Sequence, residues 1–165
     1  VSPTADPVTV PPLHVSVVCT GNICRSPIGE HVLRDALTKA GLGDRVRVTS
    51  AGTGNWHVGG PADAASERVL RDAGYTWNHT AHQIDAAELA TVDLALACDL
   101  GHFRALRRMT EDPDKVVLLR QFDPDADGDE VPDPYSGPDS EFLEVLRMIE
   151  AATPGIVDEI RRRLS

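Results

Sequence analysis

His14-Val15-Ser16-Val17-Val18-Cys19-Thr20-Gly21-Asn22-Ile23-Cys24-Arg25-Ser26-Pro27 is the stretch that decides the fold. His14 to Cys19 is a short run rich in β-branched residues, which reads as a buried strand. It ends in the turn-prone Thr20-Gly21-Asn22. Ser26-Pro27 then reads as an N-cap followed by the first helical position. Ile28, Val32, Ala36, Leu37 and Ala40 share one face of the helix that follows, and Gly41 and Gly43 stop it. A loop between a strand end and a helix N-terminus turns its backbone N–H groups inward and forms an anion cradle.

Downstream, the same alternation of strand and helix repeats. Arg45 to Ala51 alternates like a second strand, and Ala65, Val69, Leu70 and Ala73 lie at helical spacing within Ala62 to Ala73, closed by Gly74. Asp93 to Cys98 reads as a third strand, Leu100 to Met109 as a helix and Val116 to Leu119 as a fourth strand. Arg120 to Ser140 is acidic and rich in Asp, Pro and Gly, and is expected to be a loop. A last helix carries Phe142, Val145, Leu146, Ile149, Ile156, Val157, Ile160 and Leu164 on one stripe, with Pro154 expected to kink it. The expected fold is therefore α/β: three layers, with a four-stranded parallel sheet flanked by helices. Ligands in such sheets bind beyond the carboxyl ends of the strands, where Cys19 falls.

The bulk properties bound the function. A chain of 165 residues with 41% apolar content has the length of one domain and can bury a core. Residues 1–12 contain four prolines and read as a flexible extension, leaving 13–165 as a single catalytic domain. The formal charge of −10 disfavours nucleic acid as a partner. No apolar run approaches the ~20 residues of a membrane span, and the N-terminus has no signal-type stretch. Cys19, Cys24 and Cys98 are too few for a disulfide framework, so the expected setting is a reducing cytoplasm, with export by an unconventional route left open. A monomer is expected. Heavy use of Ala, Arg, Gly, Pro and Asp with only two lysines suggests a bacterial source.

Cys19 to Ser26 has the form C-x5-R-S. The bare C-x5-R pattern arises readily by chance; the strand before it and the helix after it make it specific. The cradle's field favours a charged sulfur at Cys19, and Arg25 can grip two oxygens of one anion side by side. The Ser26 hydroxyl could stabilise the sulfur as it leaves. The bland alternative is an inert buried cysteine ending a core strand. In-line attack by a thiolate also needs a proton donor for the departing oxygen, from the opposite side. Asp112, Asp123 and Asp133 each precede proline, and residue type alone does not separate them. No metal or other cofactor is needed, because the cradle and Arg25 carry the charge. Asp123-Pro124-Asp125-Ala126-Asp127-Gly128 imitates the start of a calcium loop, but Pro134 stands where the bidentate Glu is required. It is read as an acidic surface loop, and the histidines show no metal-binding spacing.

The segment from Val18 to Pro27 resembles the phosphate loop of low-molecular-weight protein tyrosine phosphatases. That family places its general acid in a late Asp-Pro-Tyr, here Asp133-Pro134-Tyr135 before the last helix. The similarity extends through Ser50-Ala51-Gly52-Thr53 and Asn78 to Gln83, and spans roughly residues 14–164. The resemblance implies a flavodoxin-like sheet and hydrolysis of phosphotyrosine and aryl phosphates through a phosphocysteine. It makes Cys19 the nucleophile and Arg25 the phosphate and transition-state ligand. Asp133 becomes acid and then base. Thr20, Gly21, Asn22, Ile23, Cys24 and Ser26 form the phosphate-binding loop. Asn22 is implied to shape the loop through side-chain hydrogen bonds to Ser26, Ser50 and His79, and Asp99 to orient Arg25. Trp56 and Tyr135 would flank an aromatic substrate. Asp99 could equally cap the helix it precedes. Phosphotyrosine proteins are the implied substrates, and inorganic phosphate the product and inhibitor.

Rival readings share parts of this pattern. An arsenate reductase of the same fold would relay oxidation through two further downstream cysteines, and only Cys98 follows the loop. A module that binds phosphorylated ligands without turnover would not need Cys19, Arg25 and Asp133 together. Ser136 stands where the family often has a second tyrosine, which leaves Tyr135 as the remaining candidate for phosphorylation. Cys24 offers a reversible disulfide partner for Cys19, or is a small apolar filler. The acidic stretch from Asp123 to Asp133 is expected to loosen the loop that carries the acid.

Overall fold

Short strands rich in valine, leucine and alanine build a sheet that is covered on both faces. The computed structural model describes residues 12–165; apart from Pro12, the expected extension lies outside the described residues. Strands β1 (Leu13–Cys19), β2 (Val46–Gly52), β3 (Leu94–Ala97) and β4 (Val116–Leu118) pair in parallel in the order β2-β1-β3-β4. Helices α1 (Arg25–Lys39), α2 (Ala64–Asp72) and α5 (Asp139–Leu164) pack with one face, and α3 (Ala86–Thr91) and α4 (Leu100–Met109) with the other. Val15, Val17 and Cys19 of β1, with Leu94 and Leu96 of β3, enter the larger core under α1, α2 and α5. Val18, Ala95 and Ala97 point the opposite way, into a smaller core with Leu89 of α3 and Leu106 of α4. A strand buried on both faces reads as a continuous apolar run, as β3 does, while β1 was legible from its β-branched residues despite His14 and Ser16.

The expected three-layer α/β architecture is borne out. Several local details differ. α1 begins at Arg25, with Cys24 at its N-cap and no side-chain cap, so Ser26 lies inside the first turn and not at the cap. Its hydroxyl has been drawn into a tertiary network instead. α3 was not expected; its six residues bury only Leu89, too few for a periodic pattern. Asp85, whose side chain accepts from Glu88 N, was its one local signal. The segment expected to be a loop from Arg120 starts within a 3-10 turn, Leu119–Phe122. α5 is one 26-residue helix that continues through Pro154. Among the described residues no helix is long and apolar enough to cross a membrane.

The sheet sets the site at the carboxyl ends of its two central strands. Cys19 closes β1 opposite Gly52 of β2, and Cys98 and Asp99 follow β3 directly. Gly52 has to be glycine: a Cβ there would sit 2.6 Å from the Thr20 carbonyl oxygen and 3.1 Å from Asn22 N. The absence of a side chain lets the end of β2 press against the loop that follows β1.

Candidate active site

The loop from Thr20 to Cys24 is held from below by one side chain. Asn22 is fully buried and adopts φ 57°, a left-handed conformation that Asn tolerates better than most residues. Its Oδ1 accepts from the His82 backbone N–H at 3.0 Å, which fixes the orientation of the amide. Nδ2 therefore faces the hydroxyls and donates to Ser26 Oγ at 2.8 Å and to Ser50 Oγ at 3.0 Å. Each hydroxyl then has its own hydrogen to give. Ser50 donates to Glu30 Oε1 at 2.5 Å, and Ser26 Oγ lies at hydrogen-bond distance, 3.0 Å, from Cys19 Sγ, where it can donate to a thiolate. The orientation of the Asn22 amide, and with it the donors facing both hydroxyls, is thus set by a backbone N–H. Each such bond contributes about 1 kcal/mol to holding the loop.

His79 was expected to meet the Asn22 side chain. Its Nε2 instead donates to the Asn22 backbone carbonyl at 2.5 Å, because Oδ1 is already taken by His82 N. Both contacts pin the same residue.

Arg25 is 3% exposed and is aimed by groups from two distant segments. Nη1 donates to Asp99 Oδ2 at 2.9 Å and to the Val131 carbonyl at 3.0 Å. Nη2 has only Thr20 Oγ1 at 3.5 Å, with Asp133 Oδ2 at 3.9 Å, and among the described residues buried Nε has no partner. One edge of the guanidinium is thus committed to the protein, and the Nε/Nη2 edge remains for a bidentate anion. Burial works against the Arg25 charge, but Cys98, Cys19 and Asp99 outweigh it and hold the guanidinium more firmly protonated than usual. Asp99 performs both suggested tasks: Oδ2 takes Arg25 while Oδ1 accepts from His102 N and caps α4. Burial would raise its carboxyl, but the His102 N–H, the His102 ring and Arg25 hold it below the usual range.

These groups line a cavity of about 420 Å³. Cys19, Thr20, Gly21, Ile23, Cys24 and Arg25 contribute to its lining, together with Asp133, Trp56, His57 and Tyr135. Cys19 is buried, whereas Trp56 and Tyr135 are 74% and 56% exposed. The His57 ring lies 6.1 Å from that of Tyr135, tilted by 55°. Asp133 Oδ1 accepts from Tyr135 N at 3.0 Å, so the Asp-Pro-Tyr segment forms its own small turn. Cys19, Cys24 and Cys98 are all free thiols. Burial, followed by the charges of Asp63 and Cys19, pushes the Cys24 thiol up.

A protein-family model described as low molecular weight phosphotyrosine protein phosphatase matches residues 14–165. The chain belongs to this family, and it is an enzyme. This low molecular weight phosphatase is 49% identical over 156 residues to low molecular weight protein-tyrosine phosphatase A of Mycobacterium tuberculosis, covering 93% of this chain and 95% of that one. The crystal structure of YfkJ from Bacillus subtilis superposes with a TM-score of 0.87 at 30% identity, covering 95% of this chain and 99% of that one. Wzb of Vibrio vulnificus, solved in complex with benzylphosphonate, gives 0.79 at 30% identity, covering 89% and 98%. The family resemblance and the bacterial kinship expected from the sequence are both borne out.

Other residues that shape the site went unremarked in the sequence. His57 stands next to Trp56 and had only that adjacency to mark it. The Val131 carbonyl has no side-chain signature at all. His102, 4% exposed, is three residues after Asp99, the spacing of a capping box, and its Nε2 meets Thr20 Oγ1 at 2.7 Å. Arg120 donates to the Glu130 carbonyl at 2.9 Å and to Asp127 at 2.7 Å. Val131 N donates to the Cys98 carbonyl at 2.7 Å. The acidic stretch expected to loosen the acid's loop is therefore tied down at three points around residue 130, including Leu100 N to Glu130 at 3.0 Å.

The buried histidines give this phosphatase an acid-sensitive fold. Burial lowers His102 to about 4; Asp99, Asp133 and Glu130 pull it upward and Arg25 downward. Burial also lowers His14 and His79. Each stays neutral when folded over a range where the unfolded chain binds a proton. Stability is therefore intact above about pH 6.5 and falls as the pH drops towards 4, with His102 alone responsible for roughly 2–4 kcal/mol. Thermal melts at pH 7 and pH 4.5 should show a smaller loss of Tm in His102→Gln than in the unaltered protein. Equal losses would remove His102 from the account.

Proposed function

We propose that the protein hydrolyses phosphotyrosine and other aryl phosphate monoesters through a phosphocysteine on Cys19, with Asp133 as general acid and then general base. The observation that carries this reading is the free Nε/Nη2 edge of Arg25 in the same cavity as the Cys19 sulfur and the Asp133 carboxyl. A phosphoryl group held on that edge and on the loop amides presents phosphorus to Cys19 Sγ. The S–P bond forms as the P–O bond to the aryl group breaks, and Asp133 gives its proton to the departing phenolate oxygen. Water then attacks phosphorus, Asp133 takes its proton and the sulfur departs as a thiolate that receives the Ser26 hydrogen bond. Charge on the equatorial oxygens is met by Arg25 and backbone N–H groups.

The aryl preference rests on the mouth of the cavity. Trp56 and Tyr135 stand exposed there, apolar walls for a flat ring. The benzylphosphonate complex of the Vibrio vulnificus relative supports the same substrate class. Phosphotyrosine proteins would be the substrates, and inorganic phosphate the product and a competitive inhibitor. Residues 13–165 would act as one catalytic domain and as a monomer, in a reducing cytoplasm that keeps the three cysteines as thiols. Arsenate reduction is disfavoured, because Cys98 is fully buried and burial pushes its thiol well up, which leaves no accessible relay.

Rapid acid quench during turnover of p-nitrophenyl phosphate, followed by mass spectrometry, should place one phosphoryl group on the peptide that contains Cys19. Steady turnover with no phosphorylated Cys19 peptide would overturn the covalent route.

A further inference from the structure

We propose that the Thr20 hydroxyl donates a hydrogen bond to a phosphoryl oxygen of the substrate, and that His102 is the positioning residue that turns it there. The inference rests on the reading of Cys19 and Arg25 given above and adds a donor and its support to that site.

The orientation follows from what each partner can do. Asp99 N–H lies 3.3 Å from His102 Nδ1, and a backbone amide can only donate. Asp99 Oδ1 is 3.1 Å from the same nitrogen but makes no hydrogen bond with it; that oxygen instead accepts from the His102 backbone N–H. Nδ1 is therefore the acceptor, the ring proton sits on Nε2, and Nε2 donates to Thr20 Oγ1 at 2.7 Å. Thr20 Oγ1 is approached on its other side by Arg25 Nη2 at 3.5 Å. With both lone pairs facing donors, the hydroxyl hydrogen needs an acceptor, and the described residues offer it none. Thr20 lines the cavity beside Cys19 and Arg25. A phosphoryl oxygen held by Arg25 Nη2 is the acceptor that this arrangement awaits. The opposite tautomer would have Thr20 donating into the ring and lost to the substrate.

His102 also joins two parts of the site. It caps α4 together with Asp99, and Asp99 aims Arg25. One buried imidazole thus keeps the Thr20 hydroxyl and the Asp99–Arg25 pair in register.

Two substitutions separate these tasks. Thr20→Val removes the hydroxyl and keeps the shape. His102→Asn keeps an acceptor for the cap but is too short to reach Thr20. Thr20→Val is expected to lower kcat/KM for p-nitrophenyl phosphate by about tenfold and to weaken inhibition by inorganic phosphate to a similar degree. His102→Asn should show most of the same loss, and the double variant should be no worse than Thr20→Val alone. Nitrogen-15 NMR of the histidine rings should report the Nε2–H tautomer for His102 in the unaltered protein. Phosphate inhibition and kcat/KM within twofold of normal in Thr20→Val would overturn the inference, as would fully additive losses in the double variant or an Nδ1–H tautomer. A Thr20→Val enzyme that still forms phosphocysteine at Cys19 leaves the catalytic reading standing, so the two fail separately.

Discussion

Cys19→Ser is expected to lower kcat for p-nitrophenyl phosphate by about 10⁴-fold or more while leaving inorganic phosphate bound within a few-fold of normal. The split follows from how the site is built. Phosphate affinity belongs to the loop amides and to Arg25, which is aimed by Asp99 and Val131 and owes nothing to the sulfur for its position. In the proposed reaction, attack on phosphorus belongs to the sulfur. An alcohol in its place stays protonated at working pH, and its neighbour Ser26 Oγ, itself a neutral hydroxyl, is far too weak a base to take that proton. Asp133, the proposed acid of the same step, is then not available as a base. Turnover within tenfold of normal in Cys19→Ser would sink the assignment of the nucleophile. Loss of both turnover and phosphate binding would show that the loop had collapsed; Cys19→Ala with phosphate affinity retained would then restore the distinction.

The sequence was most informative where local pattern and tertiary role coincide. β1, the turn at Gly21-Asn22 and α1 could be read because the strand is short and rich in β-branched residues and the helix has its own stripe. Asp99 was legible in both of its roles, since a carboxylate just after a strand and just before a helix can cap one and reach across from the other. Legibility failed where tertiary bonds override local preference. Ser26 has the composition of an N-cap, but Cys19 and Asn22 claim its hydroxyl, so the helix begins one residue earlier, at Arg25. His79 and Asn22 were correctly brought together, yet which atom of Asn22 it meets depends on His82 N, sixty residues from Asn22. The Val131 carbonyl that holds Arg25 is backbone and leaves no trace in residue type. The charge-rich stretch before Asp133 suggested looseness, because its anchor, Arg120, lies before it and looks like any other arginine.

That anchoring bears on the second large effect. Asp133→Asn is expected to lower kcat/KM by about 10²–10⁴-fold on phenyl phosphate, and by much less on substrates whose leaving group is already a stable anion. Asparagine keeps the shape of the turn, since its Oδ1 can still accept from Tyr135 N, so the loop and the cavity mouth should survive. In the first step of the proposed reaction only the transferable proton is lost. A poor leaving group needs that proton as the P–O bond breaks, whereas p-nitrophenolate needs it far less. A plot of log kcat/KM against leaving-group pKa should therefore be shallow for the unaltered enzyme and steep for Asp133→Asn. The position of Asp133 favours this role over the other Asp-Pro candidates. It lines the cavity 3.9 Å from Arg25 Nη2, on a segment pinned through Val131 to Cys98 and through Glu130 to Arg120. Asp112 N-caps a 3-10 turn before β4, and Asp123 closes the turn after it; neither lines the cavity. Parallel plots for the two enzymes would mean that the proton comes from elsewhere, and Asp133 would then be only a wall of the pocket.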